Sequence, residues 1–391
     1  MKEGIYFDNN ATTRTAPEVV EAMRPYFSEH YGNASSLHRF GQRARSAIEE
    51  ARAKVARFLG AEPEEIVFVS GGTEANNLAI KGVVYTQSKH GKHIITSSIE
   101  HHAVGRPCEQ LREMGFRITI LPVDRYGMVD PEAVLKEITR ETILISIMSS
   151  NNEIGTIQPI GEIAHIAHEK GILFHTDAVQ SAGKQNISVK EWGVDLLTIS
   201  GHKFHGPKGI GVLYIKKGIK IIPQIYGGDQ EVGYRAGTEP VPLIVGLGKA
   251  CQLASLRIMD RLEYVSQLRN YMEKGIKERV DDIIINGHPS LRLPNTSSIS
   301  FLYAMGEAIM VQLDVKGIAV STGSACTSGT EEPSHVLSAI GLAPETAKGT
   351  IRFSLSHYNN RKEVDYLLEV LPEIVRNIRE LSPLYKKRKN I

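Results

Sequence analysis

The chain has 391 residues, with 46 Lys and Arg against 44 Asp and Glu, a formal charge of +2. Hydrophobic and charged fractions of 41% and 23% exclude a disordered chain, and the charge balance argues against a direct nucleic-acid binder. Three cysteines and a start, MKEGIYFDNNATT, without an apolar leader core exclude the secreted, disulfide-built and membrane classes and lead us to expect a cytoplasmic location. In chain order, Ile66–Ser70 is a β-branched run that predicts a buried strand, and a helix is predicted from Ala75. Further strands are predicted at His93–Thr96, Arg117–Ile120, Ile143–Ile147, Ile172–His175, Leu196–Ile199 and Gly211–Ile215, with helices such as Pro131–Thr139 and Ile160–Lys170 between them. Near-continuous apolar strands separated by helices predict an α/β fold, a mostly parallel sheet covered on both faces. Beyond about residue 250 the pattern changes to one long charged helix over roughly Leu247–Val280, strands at Thr296–Phe301 and Thr350–Leu355, and a closing helix Arg361–Arg379. That is the pattern of a smaller α+β domain, and the final Lys386–Lys389 reads as a solvated tail.

In an open parallel sheet, ligands bind beyond the carboxyl ends of the strands. Those ends carry Gly71-Gly72-Thr73-Glu74, Glu100-His101-His102, Asn151-Asn152-Glu153, Asp177 with Gln180, and Gly201-His202-Lys203. Gly71 and Gly72 precede a helix whose free N–H groups and positive dipole end suit a phosphate. The turn has neither the lysine of a P-loop nor a three-glycine fingerprint, which disfavours a nucleotide; a plain strand-to-helix turn is the alternative.

Lys203 lies between glycines and two histidines, a setting in which a lysine becomes a competent amine nucleophile; the alternative is a surface lysine. Asp177 ends the preceding predicted strand, which puts it beside Lys203. A pyridine-type cofactor needs that pair, an amine to form an imine and a carboxylate to keep the ring nitrogen protonated; helix capping is the other reading of Asp177. His101 or His102 could stack on such a ring, and the residues alone leave that choice open. Cys326, in Gly323-Ser324-Ala325-Cys326-Thr327-Ser328-Gly329, reads as an accessible thiol, reactive if a cation is near. Cys108 and Cys251 lie in helical patterns and read as packing. Arg352, in Thr350-Ile351-Arg352-Phe353-Ser354, could clamp a carboxylate with two parallel hydrogen bonds.

Taken together, YFDNNATT (6–13), FVSGGTEANN (68–77), EHHAV (100–104), NNEIG (151–155), HTDAVQSAG (175–183), SGHKFHGPKGIG (200–211), RAGTE (235–239), GSACTSG (323–329) and IRFSLS (351–356) resemble the NifS/IscS-type cysteine desulfurases. These are fold-type I pyridoxal-phosphate enzymes of the class V aminotransferase group. The resemblance implies a seven-stranded sheet in a large domain of residues 15–255, and a small domain of 1–14 and 256–391 carrying the active-site loop, about 321–332.

It implies pyridoxal 5'-phosphate held by Lys203, with Asp177 on the ring nitrogen, Gln180 on the ring hydroxyl and His101 stacked on the ring. Gly72, Thr73, Ser200 and His202 would hold the phosphate, with Thr238 reaching across from the second subunit of a homodimer. Asn152, which also borders the cofactor, and Arg352 would orient the substrate L-cysteine. Cys326 would be the nucleophile, leaving as a persulfide that passes sulfur to an iron–sulfur scaffold protein of the IscU type or another acceptor, for cluster assembly or tRNA thiolation. The resemblance suggests one metal role, transient iron–sulfur ligation by the Cys326 persulfide. An aminotransferase or a selenocysteine lyase of the same fold is the alternative, and a transaminase has no use for the Cys326 thiol.

Overall fold

The computed structural model describes residues 4–256, 258–322, 333–383 and 385–386. A short strand β1 (Ile5–Tyr6) precedes seven longer ones: β2 (Ile66–Val69), β3 (His93–Ser97), β4 (Arg117–Leu121), β5 (Thr142–Ser146), β6 (Leu173–Asp177), β7 (Leu196–Ser200) and β8 (Gly211–Ile215). These seven form one sheet in the order β2-β8-β7-β6-β5-β3-β4. Only β8 is antiparallel to its neighbours β7 and β2. The connection from Ser200 to Gly211 is too short for a crossover helix, so the chain must return antiparallel.

The apolar runs are buried on both faces. Along β2, Ile66 and Phe68 join one apolar cluster while Val67 and Val69 join another, and β8 alternates in the same way. Helices Arg39–Leu59 and Val241–Ser255 cover the first face, and Gly72–Gln87 with His102–Glu113 cover the second. β4, at the sheet edge, is the one strand of the seven with exposed residues among its first four.

A four-stranded antiparallel sheet follows, β12-β13-β10-β9, built from β9 (Ile283–Asn286), β10 (Thr296–Phe301), β12 (Ser321–Thr322) and β13 (Thr350–Ser354). β11 (Ile318–Ala319) pairs in parallel with β1. This sheet has its own apolar cluster, in which Phe7, Met272, Phe301, Phe353 and Leu371 are buried. Among the described residues no single helix is long and apolar enough to cross a membrane.

The single helix expected over Leu247–Val280 does not form. Two helices stand there, Val241–Ser255 and Ile258–Arg279, and Leu256 leaves the helical backbone at φ −70°, ψ 120°. The first buries Ile244, Leu247 and Cys251 in the seven-stranded core, whereas the second buries Leu268, Met272 and Ile276 in the four-stranded one. One straight rod cannot turn its apolar face to two cores, so packing overrides the helical propensity of the join.

The segment after β1 ties the two sheets together. The Asn9 N–H donates to the Ser354 carbonyl at the end of β13, and the Thr13 N–H donates to the His202 carbonyl beyond β7, at 3.1 and 2.9 Å. Asn10 and Ala11 are thereby held over the carboxyl ends of β6 and β7.

Candidate active site

A cavity of about 280 Å³ lies there. Gly72, Thr73, His101, Asn152, Asp177, Gln180, Ser200, His202, Lys203 and Arg352 all border it. Residues from five separate strand ends and from the second sheet therefore converge, as the strand-end rule requires. Thr238 is exposed and does not border the cavity. Cys326 lies outside the described residues, and with it the active-site loop proper and the suggested iron–sulfur ligation.

Lys203 closes a 3₁₀ turn, Gly201–Lys203, directly after β7. Its Nζ donates to the carbonyls of Asn10 and Ala11 at 2.7 and 2.8 Å. Asp177, on the neighbouring parallel strand, ends β6 and is buried. Its Oδ2 accepts from Asn76 Nδ2 at 2.7 Å and its Oδ1 from the Val179 N–H at 2.9 Å. Both donors are neutral. A buried carboxylate with only neutral partners is costly unless a cation joins it, and a protonated ring nitrogen is such a cation.

His101 is the N-cap of helix His102–Glu113 and accepts the Ala103 N–H on Nδ1 at 3.1 Å. The neutral ring therefore carries its proton on Nε2. Burial lowers its pKa first; Asp177 pulls it up and Lys203, His102 and His335 push it down. His102 faces a different groove, with its ring 5.2 Å from that of His335. Of the two histidines only His101 borders the cavity.

Opposite Asp177, helix Gly72–Gln87 begins with Gly71, which supplies no side-chain cap, so its first N–H groups are available to an anion. The turn is packed closely: a Cβ on Gly211 of β8 would stand 2.8 Å from Gly71 Cα, and one on Gly72 would stand 2.8 Å from Val179 Cγ2. Ser200 is buried beside it. His202 has its pKa lowered to about 4 by burial and by Lys203, Lys208 and Lys184; it is neutral near pH 7 and binds by hydrogen bonding. Thr12 Oγ1 contacts its Nδ1 at 3.1 Å.

Arg352 reaches the cavity from β13 with its side chain 3% exposed. It is already engaged: Nη2 meets Asp8 Oδ1 at 2.8 Å and Nη1 donates to the Asn152 carbonyl at 3.1 Å. Among the described residues its Nε is buried without a partner, as is Asn76 Oδ1. Both residues border the cavity, and hydrogen-bonding capacity left unmet beside it suits a polar ligand.

Three residues of this network escaped the sequence reading. Asn10 accepts Lys203 and the Gln180 amide on its carbonyl, while its side chain joins Lys184, Asn295 and Thr296. Asp8 is the counter-charge of Arg352. Lys184 is a second buried amine. The signals were the unbroken Asp8-Asn9-Asn10 run and a lysine four positions after Gln180, and neither points inward without the tertiary fold.

The sequence pattern of the family "Aminotransferase class-V" matches residues 5–367. The chain is 54% identical to the cysteine desulfurase IscS of Dictyoglomus turgidum, over 99% of this chain and 98% of that protein. A solved structure titled "NIFS-LIKE PROTEIN" aligns with a TM-score of 0.91 at 41% identity, covering 96% of this chain and 100% of the other. The chain belongs to the class-V aminotransferase family, among the NifS/IscS-type cysteine desulfurases. A second solved structure, "SspA in complex with cysteine", aligns with a TM-score of 0.81 at 40% identity, over 91% of this chain and 100% of that one. The seven-stranded sheet with helices on both faces is thus the fold-type I architecture, and the chain is an enzyme of the desulfurase kind.

Proposed function

We propose that this chain converts L-cysteine and the thiol of Cys326 into L-alanine and a Cys326 persulfide, using pyridoxal 5'-phosphate bound in the cavity described above. The observation that carries this reading is the pair at the ends of adjacent strands, an amine at Lys203 just beyond β7 and a buried carboxylate at Asp177 whose hydrogen-bond donors are neutral. When bound, the cofactor supplies an electron sink for the pair left by the departing α-proton.

The rest belongs to the chain. Lys203 holds the cofactor and, once released, is a base beside the substrate α-carbon. Asp177 keeps the ring nitrogen protonated, and Gln180 donates to the ring oxygen. Gly72, Thr73, Ser200 and His202 hold the phosphate. His101 covers the ring and offers a proton from Nε2. Arg352 and Asn152 orient the cysteine carboxylate and amine. The Cys326 thiolate then forms an S–S bond to the substrate sulfur as the carbon–sulfur bond breaks, and the carbon takes up a proton. Atoms balance: cysteine plus thiol gives alanine plus persulfide.

The division into residues 15–255 and 1–14 with 256–391 is part of this reading, and it is supported by the separate apolar clusters of the two sheets. So is a homodimer in which Thr238, exposed and away from this chain's own cavity, completes the neighbouring phosphate site. The persulfide would serve an IscU-type scaffold or another acceptor, transient cluster ligation included, in a reducing cytoplasm that suits the free, buried thiols of Cys108 and Cys251. The test is an assay of alanine and sulfide from L-cysteine, with and without reductant, followed by mass analysis of the Cys326 peptide. A gain of one sulfur is expected; a Cys326→Ala variant that releases alanine at the full rate overturns the nucleophile assignment.

A further inference from the structure

One buried amine has no part in the chemistry above. Lys184 is 8% exposed and sits one layer behind the cavity wall, where its Nζ donates to Gln180 Oε1 at 2.7 Å and to Asn10 Oδ1 at 3.1 Å. Both acceptors are neutral amide oxygens, and Asn10 Oδ1 also accepts from Asn295. The groups that face it are mostly cationic or titratable: Lys203 and His202 after β7, His205, and Arg352 on β13. Across a second cavity of about 90 Å³ stand Glu18 and Arg261. Burial, then Lys203 and Arg352, push its pKa below the ordinary lysine value. A lysine is rarely buried without a carboxylate, so its placement needs a reason.

The reason lies in the Gln180 amide. A primary amide has one acceptor end and one donor end carrying two hydrogens. Gln180 Nε2 donates to the Asn10 carbonyl at 3.0 Å, and Oε1 receives Lys184. Turning the amide over would set its oxygen against the Asn10 carbonyl and its nitrogen against an amine, breaking both bonds. With one N–H spent on Asn10, the second is left for the cavity that Gln180 borders.

We propose that Lys184 is a positioning residue that locks the Gln180 amide in one orientation, so that the ring oxygen of the cofactor always meets a donor there. This rests on reading the cavity as the pyridoxal-phosphate site. A donor at the ring oxygen stabilises its anionic form and loosens the proton shared with the Lys203 nitrogen. Loss of the lock, like loss of a nearby cation, raises the apparent pKa of the cofactor's visible absorption band.

The experiment is a pH titration of that band in purified holoprotein, comparing wild type with K184M, K184Q, Q180A and the Q180A/K184M double variant. K184M is expected to raise the apparent pKa by about one unit and Q180A by a similar amount, with the double variant no further shifted than Q180A. K184Q, which retains a donor without the charge, is expected to lie between wild type and K184M, and it serves if K184M fails to fold. A purely structural lysine would lower the melting temperature and leave the band's titration unmoved. A wild-type band with unshifted variants, or a double variant showing the sum of the two shifts, overturns the role of Lys184 alone. A wild-type protein that forms no visible band with added cofactor overturns the cofactor reading and this inference with it.

Discussion

The carboxyl edge of the seven-stranded sheet and the interior of the four-stranded half handle buried charge differently. In the four-stranded half, two buried arginines meet carboxylates, Arg292 with Glu273 at 2.6 Å and Arg352 with Asp8 at 2.8 Å, while Arg379 donates to the carbonyls of Leu302, Asp281 and Asp282. At the edge of β6 and β7, Asp177 and Lys184 are equally buried, yet their hydrogen-bond partners among the described residues are amides. An unpaired buried ion costs several kcal/mol, and Glu273 and Asp8 offset that cost for Arg292 and Arg352. On the proposed function, the edge that leaves Asp177 open is arranged for charged visitors, a ring nitrogen at Asp177 and a phosphate at the Gly71 turn. Arg352 belongs to both regions, since it is paired with Asp8 and also borders the cavity.

The sharpest way to break this contrast is to remove the amine at the open edge. Lys203→Ala is expected to lower alanine release by at least about 10³-fold, through loss of both the covalent anchor and the base, and to abolish the visible band; a variant within about tenfold of wild type would contradict the assignment. Arg352→Met tests the residue shared by the two regions. It is expected to raise KM for L-cysteine by roughly 10- to 100-fold, the range for losing a charge-assisted pair, with a smaller effect on kcat. Steady-state kinetics that moved only kcat would place Arg352 with the catalytic chemistry and not with substrate binding.

The smallest effect sharpens the rule itself. Glu100 and Glu153 are buried beside the site without, among the described residues, a cation in hydrogen-bond contact, and burial raises their pKa values to about 8 and about 7. Glu153 Oε2 accepts the Ser334 hydroxyl, and Glu100 Oε1 accepts from Ser97 and the Met148 N–H. Both values exceed 4.5, the ordinary one. The folded state therefore binds extra protons between about pH 4.5 and 8, and stability falls as pH rises through that window. Glu153→Gln keeps an acceptor for Ser334 and is expected to gain about 1–2 kcal/mol at pH 8 and little at pH 5. Denaturant titrations at the two pH values check this, and an equal change at both would show that the carboxyl does not ionise in the fold.

Much of the large sheet was legible in the chain. Gly211–Ile215 was read with its observed bounds, and the other runs of the large sheet differ from the observed strands by one or two residues at an end, because a strand buried on both faces is largely apolar; Thr296–Phe301 of the four-stranded sheet was also read with its observed bounds, although it carries Thr296, Ser297, Ser298 and Ser300. Most residues of the large sheet that border the cavity were legible for a related reason: they end or follow its strands, where an open parallel sheet places its ligands. What was hidden depends on contacts between distant segments. Asn10 gathers Lys203, Gln180 and Lys184 only because the N-terminal segment crosses from β1 to the loop after β7. The break at Leu256 was hidden because each helix reads as helical alone, and only the presence of two cores bends the join. β9 was missed as well, since a four-residue strand with one exposed position carries little periodic signal.

The central claim is that the amine of Lys203 carries the cofactor opposite the carboxylate of Asp177, and borohydride reduction of the protein loaded with pyridoxal phosphate tests it most directly. The account predicts that the visible band disappears and that proteolysis gives one modified peptide, containing Lys203 and heavier by a phosphopyridoxyl group. The same label on Lys184 or Lys208 with Lys203 unmodified would contradict it.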